Sequence, residues 1–547
     1  MVIDDRITRR QVLASAAGGC LGAWLATLPR LGWADGTRTT PKPDESDAFF
    51  REGPIPRLKV ELGPAEIAEL RKNPRAYVHG RLVEDDRATY AEVGVKLKGA
   101  AGSFRAVDDR PALTVNLNKY KKKQTFHALT KIHLNNSVQD GGYLHELVGS
   151  ELSLAAGVPT ARTTHARVWL NDRELGFYVL KEGYDKTFLK RHFTSASGNL
   201  YDGGFCQEID GNLELDSGDG PTDRSDLKAL VAACREPDAA KRSERVNEIL
   251  DVDAFLTFMA LEQITCHWDG YCHNRNNYRV YFAPPTNKAY FMPHGMDQIF
   301  GNMGMNVMQA PGALVSQVVM QNIEWRARYR ERITELIALL PPKELLLSIV
   351  DRTETRIQPT LIAINAGLAK QQLDHAGGVK GRLAERAKIA TQQLGTPEPK
   401  PLAFDAQGTA KLTGWAQRAE TEDAIRDEAA SPDGKKSFHV ACGPSRNCVA
   451  SWRMKVLLAA GDYKLQARIR TADVVPQTDR EFSGAGVRIS GGQRAHKVVG
   501  TTNWQLVEHP IHTDQPVQEL ELVAELRATA GQAWFDAESL RLVRAGK

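Results

Sequence analysis

The segment HWDGYCHNRNNYRVYF, residues 267–282, places an aspartate, two histidines and three asparagines in one short stretch. A second histidine–aspartate pair follows in FMPHGMDQIF, residues 291–300. The apolar run VDAFLTFMALEQIT before the first segment predicts a buried helix, and NNYRVYF and KAYFMPH, separated by APPTN, predict a β-hairpin. Because a hairpin brings its two ends together, we expect Asp269 and Asp297 to belong to one site.

Three interpretations of this site follow from the residue types alone. Carboxylate and amide oxygens are the ligands that Mg²⁺ prefers in phosphoryl-transfer sites, which Asp269, Asp297 and the asparagines could supply. A mixed set of imidazoles and carboxylates suits zinc or iron and would support hydrolysis or oxidation. That set would comprise His267, Asp269, His273, His294 and Asp297. The third interpretation is a polar turn with no chemistry.

Outward from this site, the preceding part of the chain predicts an α+β lobe. Strand patterns occur in RLKVEL at 57–62, YAEVGVKLKG at 90–99 and ALTVNLNKY at 112–120. A helical pattern at 143–157 and two further strands, ARVWLND and ELGFYVLKE, complete the lobe at about residue 182. Helical patterns with polar connections then continue to residue 394. We therefore predict one two-lobed domain over 57–394.

A proline-rich linker at 395–402, containing GTPEPKP, predicts a domain boundary. The remaining residues, 403–547, show short alternating strand patterns separated by glycine, proline and aspartate, which predict an all-β sandwich of the jelly-roll type. Cys442 and Cys448 flank a turn-like loop and are the best candidates for a disulfide, although spacing alone does not establish the pairing.

Composition limits the classes of function. The chain has 547 residues, of which 42% are hydrophobic and 25% charged, with a formal net charge of +4. A nucleic-acid-binding protein would need a concentrated basic surface, and the run KYKKKQ at 119–124 is too short to provide one. We therefore expect no nucleic-acid partner.

The N-terminus predicts an export signal. Arg9 and Arg10 precede an uncharged run from Val12 to Leu28, and small residues follow up to Ala34. This layout is typical of a secretory signal, and the paired arginines favour the bacterial twin-arginine route. We expect a signal peptide over 1–34, an N-terminal arm over 35–56, and a mature protein without a membrane-spanning segment that is periplasmic, surface-located or secreted. An uncleaved anchor and lipid attachment at Cys20 remain alternatives.

A family resemblance covers about residues 90–300. It rests on GVKLKGAAGSF, on the stretch from LNNSVQDGGYLHELVGSELSLAAGVP to ELGFYVLKEGYDKTFLKRHF, on GNLYDGG, and on the two segments quoted first. In their order these resemble the CotH kinase family, spore-coat-type atypical protein kinases. The resemblance implies a kinase-like two-lobed fold that binds ATP with Mg²⁺ or Mn²⁺ and phosphorylates a protein substrate.

The resemblance also implies roles for individual residues. Asp269 is the catalytic-loop aspartate, Asp297 holds metal, and Asn277 is the metal-binding asparagine, with Asn274 as its competitor. The phosphate-covering loop contains Gly99, Gly102 and Ser103, and Arg110 stands where the family usually has a lysine that holds phosphates. Glu146 is expected to pair with that base, with Glu151 as an alternative, and Glu182 lies at the hinge beside adenine.

The C-terminal strands resemble jelly-roll modules that bind carbohydrate. Trp415, Trp452, Trp504 and Trp534 could stack on sugars or lie in the core, and Asp536 is a candidate ligand for a structural Ca²⁺. The sequence therefore predicts an exported protein kinase whose C-terminal domain could bind a cell-surface glycan. The alternatives are a catalytically inactive surface or glycan-binding protein with the same fold, and a His/Asp metal-dependent hydrolase.

Overall fold

The computed structural model describes residue 37 and residues 44–340, 345–395, 400–477 and 483–545. The predicted signal peptide at 1–34 lies outside these described residues. The chain divides into two compact units, residues 1–396 and 397–547, and each contains its own hydrophobic core. The first unit mixes helices and strands, which confirms the predicted α+β class.

A closed seven-stranded barrel forms the first part of unit 1. Its strands are β1 (Arg57–Glu61), β2 (Val78–Glu84), β3 (Ala88–Lys98), β4 (Ala112–Asn116), β5 (Lys131–Asn135), β6 (Thr163–Leu170) and β7 (Arg173–Glu182). The order is β1-β2-β3-β4-β5-β7-β6, and β1 closes the barrel by pairing in parallel with β6. Alternate residues such as Val95, Val115 and Leu134 point inward and are fully buried.

Two of these strands do not appear in the sequence-based prediction. The β2 sequence VHGRLVE contains a glycine and three polar or charged residues, and its inward side chains are separated by a bulge between Gly80 and Leu82. The β5 sequence KIHLN is only five residues long. Both strands acquire their pairing partners from the closed barrel, which local alternation does not report.

Three helices accompany the barrel: α1 (Glu45–Arg51), α2 (Pro64–Lys72) and α3 (His145–Ala155). Helix α3 packs closely against the segment that follows the later hairpin, because Gly149 has no side chain. A Cβ at Gly149 would lie 2.8 Å from Sδ of Met296. The helix therefore fixes the segment that contains Asp297.

The second part of unit 1 combines helices with a small antiparallel sheet. Its strands are β8 (Leu200–Asp202), β9 (Glu214–Ser217), β10 (Tyr278–Ala283) and β11 (Lys288–Pro293), in the order β11-β10-β8-β9. The helices are α4 (Lys186–His192), α5 (Ser225–Cys234), α6 (Ala239–Ile249), α7 (Val252–Ile264), α8 (Tyr271–Asn274), α9 (Leu314–Gln321), α10 (Ile323–Ile337), α11 (Leu345–Ile364) and α12 (Ala366–Gly395). The predicted hairpin is β10–β11, and it pairs Tyr278 with Pro293.

Helix α7 is the central helix of this part, and an arginine from α12 completes its C-terminal end. Nearly every α7 side chain is buried. Arg386 is fully buried and donates to the carbonyl oxygens of Gln263 (2.8 Å), Ile264 (3.0 Å) and Met303 (2.8 Å). The last carbonyls of a helix have no partner within it, so Arg386 supplies the missing donors where the chain enters the 267–277 segment.

Unit 2 contains only strands and turns among its described residues. They are β12 (Thr409–Lys411), β13 (Ala416–Ala419), β14 (Ile425–Ala430), β15 (Lys436–Ala441), β16 (Cys448–Pro476), β17 (Gly484–Ile489), β18 (Gly500–Asp536) and β19 (Arg541–Arg544). The main sheet runs β12-β19-β16-β18-β15-β14, with β13 paired to β16 and β17 to β18. The six described cysteines are free thiols, including Cys442 and Cys448.

Replacing Arg386 by methionine should destabilise unit 1 strongly. Three buried carbonyl oxygens would lose their donor, at a cost of about 3 kcal/mol in unfolding free energy. Urea unfolding followed by tryptophan fluorescence would measure the change. Lys388→Met, an exposed position on the same helix, is the matched control and should change stability by less than about 0.5 kcal/mol. Equal stability of the two variants would contradict the assigned role.

Candidate functional site

A cleft of about 990 Å³ lies inside unit 1, between the barrel wall and the small β8–β11 sheet. Strands β3, β4 and β5 contribute its cationic and polar wall, including Lys98, Thr114 and His133. The opposite wall carries both aspartates singled out in the sequence, Asp269 and Asp297. The cleft therefore joins a basic surface to an acidic one, as a site for a metal-bound polyphosphate requires.

Three asparagine side chains hold the carboxylate of Asp269. Asn274 Nδ2 donates to Oδ1 at 2.6 Å, while Asn276 and Asn277 donate to Oδ2 at 3.1 and 2.8 Å. Asn277 also donates to the Asp269 carbonyl oxygen at 3.1 Å. The carboxylate is thus oriented within the cleft by a short stretch of its own chain. The sequence analysis named two of these asparagines as metal ligands and gave Asn276 no role.

The turn that carries Asp269 is fixed by two buried side chains behind it. Glu262, near the end of α7, accepts the backbone N–H groups of Tyr271 (3.0 Å) and Cys272 (2.8 Å). Burial raises the pKa of the Glu262 carboxyl to about 7. His267 Nε2 lies 3.2 Å from the Gly295 carbonyl oxygen, which connects the turn to the segment after the hairpin. Burial lowers the pKa of His267 to about 4, so its ring is neutral and donates.

The hairpin brings Asn277 and Asp297 to the same cleft, as the sequence analysis expected for the hairpin ends. The backbone N–H of His294 donates to the Asn277 carbonyl oxygen at 2.8 Å. A Cβ at Gly295 would lie 2.3 Å from Oδ1 of Asn277, so only glycine leaves space for that amide. Because Nδ2 of Asn277 donates to Asp269, the side-chain oxygen Oδ1 of Asn277 is directed toward the segment that carries Asp297.

Asp297 lies close to several other charged side chains. Burial raises the pKa of its carboxyl to about 6, the negative charge of Glu146 raises it further, and Lys181 opposes the shift. Burial and Glu146 both disfavour the ionised form of Asp297, and a divalent cation bound beside it would favour that form. Both Asp297 and the Asn277 amide offer oxygen, the donor type that Mg²⁺ and Mn²⁺ prefer.

A buried ion pair joins helix α3 to strand β7 next to these carboxylates. Lys181 Nζ lies 2.5 Å from Oε2 of Glu146, and both side chains are only 2% exposed. Lys98, at the end of β3, donates to Asn135 Oδ1 at 2.5 Å. Burial and then the positive charge of Lys181 lower the pKa of Lys98 to about 7. The cleft therefore contains a lysine without a carboxylate partner among the described residues, at the entrance to the glycine-containing loop.

The structure differs from the sequence-based prediction for Arg110. Its guanidinium donates to the Phe177 carbonyl oxygen at 2.5 Å and lies over the Tyr178 ring, 5.2 Å from the centroid. Arg110 does not line the cleft. The partner of Glu146 is Lys181, not Arg110, because β7 passes beside α3 while Arg110 lies on the loop before β4. Glu151, the alternative acid, is on the same helix but does not line the cleft.

Glu182 ends strand β7, where the hinge was expected, but its side chain does not line the cleft. Its carboxylate is buried and bound by Arg162, with Nε at 2.9 Å and Nη2 at 3.0 Å. Arg162 in turn donates to Asp47 of α1 at 2.9 Å. This side chain connects the lobes of unit 1 to the N-terminal helix and does not reach the cleft.

The glycine-containing loop after β3 forms one edge of the cleft. Gly99 and Gly102 have positive φ values of 96° and 82°, a region that favours glycine. Gly99 and Ser103 line the cleft, whereas Gly102 is not among its lining residues. The Ser103 hydroxyl accepts from the Ala100 N–H at 3.2 Å, which closes the loop into a tight turn.

The structure does not bring together the five side chains of the histidine-based metal centre that the sequence left open as an alternative. His267 is engaged with Gly295 and His273 does not line the cleft, whereas His294 lies opposite His133 with ring centroids 6.4 Å apart. Burial lowers the pKa of both His133 and His294, and nearby lysines lower it further. Within the described residues, no group of three or more histidine, cysteine, aspartate or glutamate side chains could hold a metal ion.

The candidate residues of unit 2 are placed as follows. Trp415, Trp452 and Trp534 are buried in its core, and Trp504 is half-buried. The Trp504 indole donates to Asp433 at 2.8 Å, and Lys435 lies over its ring at 5.4 Å. Asp536 accepts the N–H of Glu538 at 3.0 Å in a turn. These contacts account for the side chains structurally and leave the glycan and Ca²⁺ expectations as predictions.

Comparisons with known proteins agree with the sequence resemblance. The family described as CotH kinase protein matches residues 95–364. The invasin CotH2 of Rhizopus delemar is 23% identical over 356 residues, which cover 58% of this chain and 59% of the relative. The inner spore coat protein H of Bacillus subtilis is 21% identical over 333 residues, covering 56% and 88%. The matched region thus spans about three-fifths of the invasin's length.

Two solved structures show weaker similarity. The Helicobacter pylori proinflammatory kinase CtkA is 11% identical, with a TM-score of 0.27, and the match covers 52% of this chain and 94% of that one. TmCBM61 in complex with β-1,4-galactotriose is 14% identical, with a TM-score of 0.18, and the match covers 25% and 91%. None of the described helices is both long and apolar enough to cross a membrane.

The unpaired Lys98 gives a pH-dependent prediction. A lysine whose pKa is lowered by folding costs stability wherever the unfolded chain is protonated. The cost is complete below about pH 7 and disappears as pH rises toward the ordinary lysine pKa near 10. Lys98→Met should therefore raise unfolding free energy by about 2 kcal/mol at pH 6 and by less at pH 9.

Thermal unfolding at the two pH values would measure this difference. Lys119→Met removes an exposed ammonium from the same cleft and should have a small effect at both pH values. A Lys98→Met effect that is equal at pH 6 and pH 9, or that is destabilising at pH 6, would contradict the assignment of a half-buried ammonium without a carboxylate partner.

Proposed function

We propose that residues 95–364, which match the CotH kinase protein family, form a kinase-like domain that transfers the γ-phosphoryl group of ATP to a hydroxyl group of a protein. The observation that carries this proposal is that three asparagine amides orient the Asp269 carboxylate in a cleft that also contains Asp297 and the Lys181–Glu146 ion pair. Phosphoryl transfer depends mainly on positioning and on charge stabilisation, and these are the elements that the cleft supplies.

The nucleotide would bind with its phosphates toward Lys98. The loop from Gly99 to Ser103 contains no bulky side chain before Phe104, so backbone groups can approach phosphate oxygens. Lys98 lies directly before this loop, lines the cleft, and has a pKa that burial and the charge of Lys181 lower to about 7. We therefore assign to Lys98 the phosphate contact that the sequence analysis gave to Arg110.

A divalent metal would be held by Asp297 and the side-chain oxygen Oδ1 of Asn277, together with phosphate oxygens. Bound Mg²⁺ or Mn²⁺ would neutralise charge on the phosphates during transfer. Asn274 competes with Asn277 for this role, but the amide of Asn277 lies against Gly295, two residues from Asp297. Lys181 keeps Glu146 neutralised, which limits the negative charge that faces the metal site.

Asp269 would orient the acceptor hydroxyl. A carboxylate that accepts three amide hydrogen bonds is fixed in direction, so Asp269 would aim the hydroxyl oxygen at the γ-phosphorus. In the transfer, a bond forms between that oxygen and the γ-phosphorus, and the bond to the β–γ bridging oxygen breaks to release ADP. The hydroxyl proton passes to Asp269 as the new bond forms.

Export is a separate proposal. The arginine pair and uncharged run at residues 1–34 predict it, and two relatives carry the names invasin and inner spore coat protein. An exported kinase would need a supply of ATP in its compartment. The alternative of a catalytically inactive surface protein with this fold therefore remains a defined outcome of the tests below.

Substitutions of the two aspartates should separate their roles. Wild-type protein incubated with γ-labelled ATP, Mg²⁺ or Mn²⁺ and a library of serine and threonine peptides should label peptides. Asp269→Asn should lower this rate by at least about 100-fold and keep the metal·ATP thermal shift, whereas Asp297→Asn should lose both.

Asp172→Asn is the matched control, because this aspartate is 99% exposed in the turn between β6 and β7. It should retain both activity and nucleotide binding. Wild-type protein that neither labels a peptide nor shows a metal·ATP thermal shift would refute the kinase proposal. Full activity of Asp269→Asn would refute the site assignment alone.

A further inference from the structure

The rim of the cleft carries an unusual concentration of exposed aromatic rings. Among the described phenylalanine, tyrosine and tryptophan residues, only Phe104, Phe205 and Trp268 are exposed, at 36%, 54% and 45%. Phe205 and Trp268 line the cleft itself, and Phe104 follows the cleft-lining Ser103. All other described aromatic rings of these types are at least half-buried or buried. Exposed rings gathered at one opening usually mark a binding surface.

Two of these rings are attached to the elements that position Asp269. Trp268 directly precedes Asp269, and the short turn from Cys266, whose φ is 53°, directs its side chain outward while His267 is buried. Phe205 lies on the loop after β8, and the next residue, Cys206, donates its backbone N–H to Asn276 Oδ1 at 3.4 Å. Asn276 also holds Asp269. Both rings are therefore positioned relative to the carboxylate that would receive the acceptor hydroxyl.

We propose that Trp268 and Phe205 form the acceptor-recognition surface, and that the acceptor is an extended polypeptide segment with a large apolar side chain next to its serine or threonine. This inference rests on the proposed phosphotransfer function. Burying one such side chain against two aromatic rings would exclude water from the hydroxyl and hold it at Asp269. The rings would then determine which hydroxyl-bearing segment is phosphorylated, without taking part in the chemical step.

The polar groups around the rings favour a polypeptide over a sugar. A bound sugar requires side-chain partners for several hydroxyl groups, but the amides of Asn274 and Asn276 are already engaged by Asp269. The backbone of Phe205, in contrast, makes no hydrogen bond within the described residues. An extended peptide can use such free N–H and C=O groups directly, as a strand does at the edge of a sheet.

Peptide kinetics can test this recognition. The substrates are two serine peptides that differ only in the residues flanking serine, leucine in one and glycine in the other. Wild-type protein should prefer the leucine peptide, and Trp268→Ala or Phe205→Ala should raise KM for that peptide about tenfold with little change for the glycine peptide. The KM for ATP and the metal·ATP thermal shift should stay the same, and Trp268→Phe should restore most of the preference.

Ile323→Ala, at an exposed apolar position on α10 (67% exposed), is the control and should leave both peptides unaffected. If the alanine variants change the two peptides equally, or if an oligosaccharide is phosphorylated in preference to either peptide, the recognition proposal is wrong while phosphotransfer stands. If wild-type protein binds metal·ATP but phosphorylates no acceptor of either class, the recognition proposal and the phosphotransfer function are both wrong.

Discussion

Three asparagine amides on one aspartate carboxylate determine the architecture of the candidate site. The amides of Asn274, Asn276 and Asn277 can reach Asp269 only because the chain folds back within eight residues, through the single turn of α8. Glu262 holds this turn from behind through two backbone N–H groups. The carboxylate direction is therefore built into the backbone, and the hairpin, the barrel and α12 serve to keep that turn in place.

The charges around the turn suggest that unit 1 is organised for an anionic, metal-bearing ligand. Burial and the negative charge of the nearby Glu146 both raise the pKa of Asp297. Lys181 neutralises Glu146, and Lys98 is left with a pKa near 7. Burial disfavours the charged forms of both Asp297 and Lys98, and a metal and a phosphate that enter together would give each of them a partner of opposite charge.

The sequence predicted the parts of this site that depend on local order along the chain. Asp269, its asparagines and Asp297 were found because a buried helix, a polar turn and a hairpin follow one another directly. Lys98 and Lys181 were missed, although each follows a buried apolar residue near the end of its strand. The contacts of the Arg110 and Glu182 side chains were not predicted. Arg110 donates to Phe177, 67 residues away, whereas Glu182 is bound by Arg162, which directly precedes the neighbouring strand β6. Strand pairing brings those partners together, and the alternation of residues along one strand does not report which side chains will meet.

The most direct test of the central claim is to follow ATP by ³¹P NMR in the presence of Mg²⁺, the purified protein and a serine-containing leucine-flanked peptide. If the cleft transfers phosphate to a hydroxyl, the γ-phosphate signal should be replaced by a phosphoserine signal in equal amount with ADP. Formation of inorganic phosphate without phosphoserine would indicate a hydrolase, and an unchanged ATP spectrum would indicate a silent fold. Either result would contradict the account.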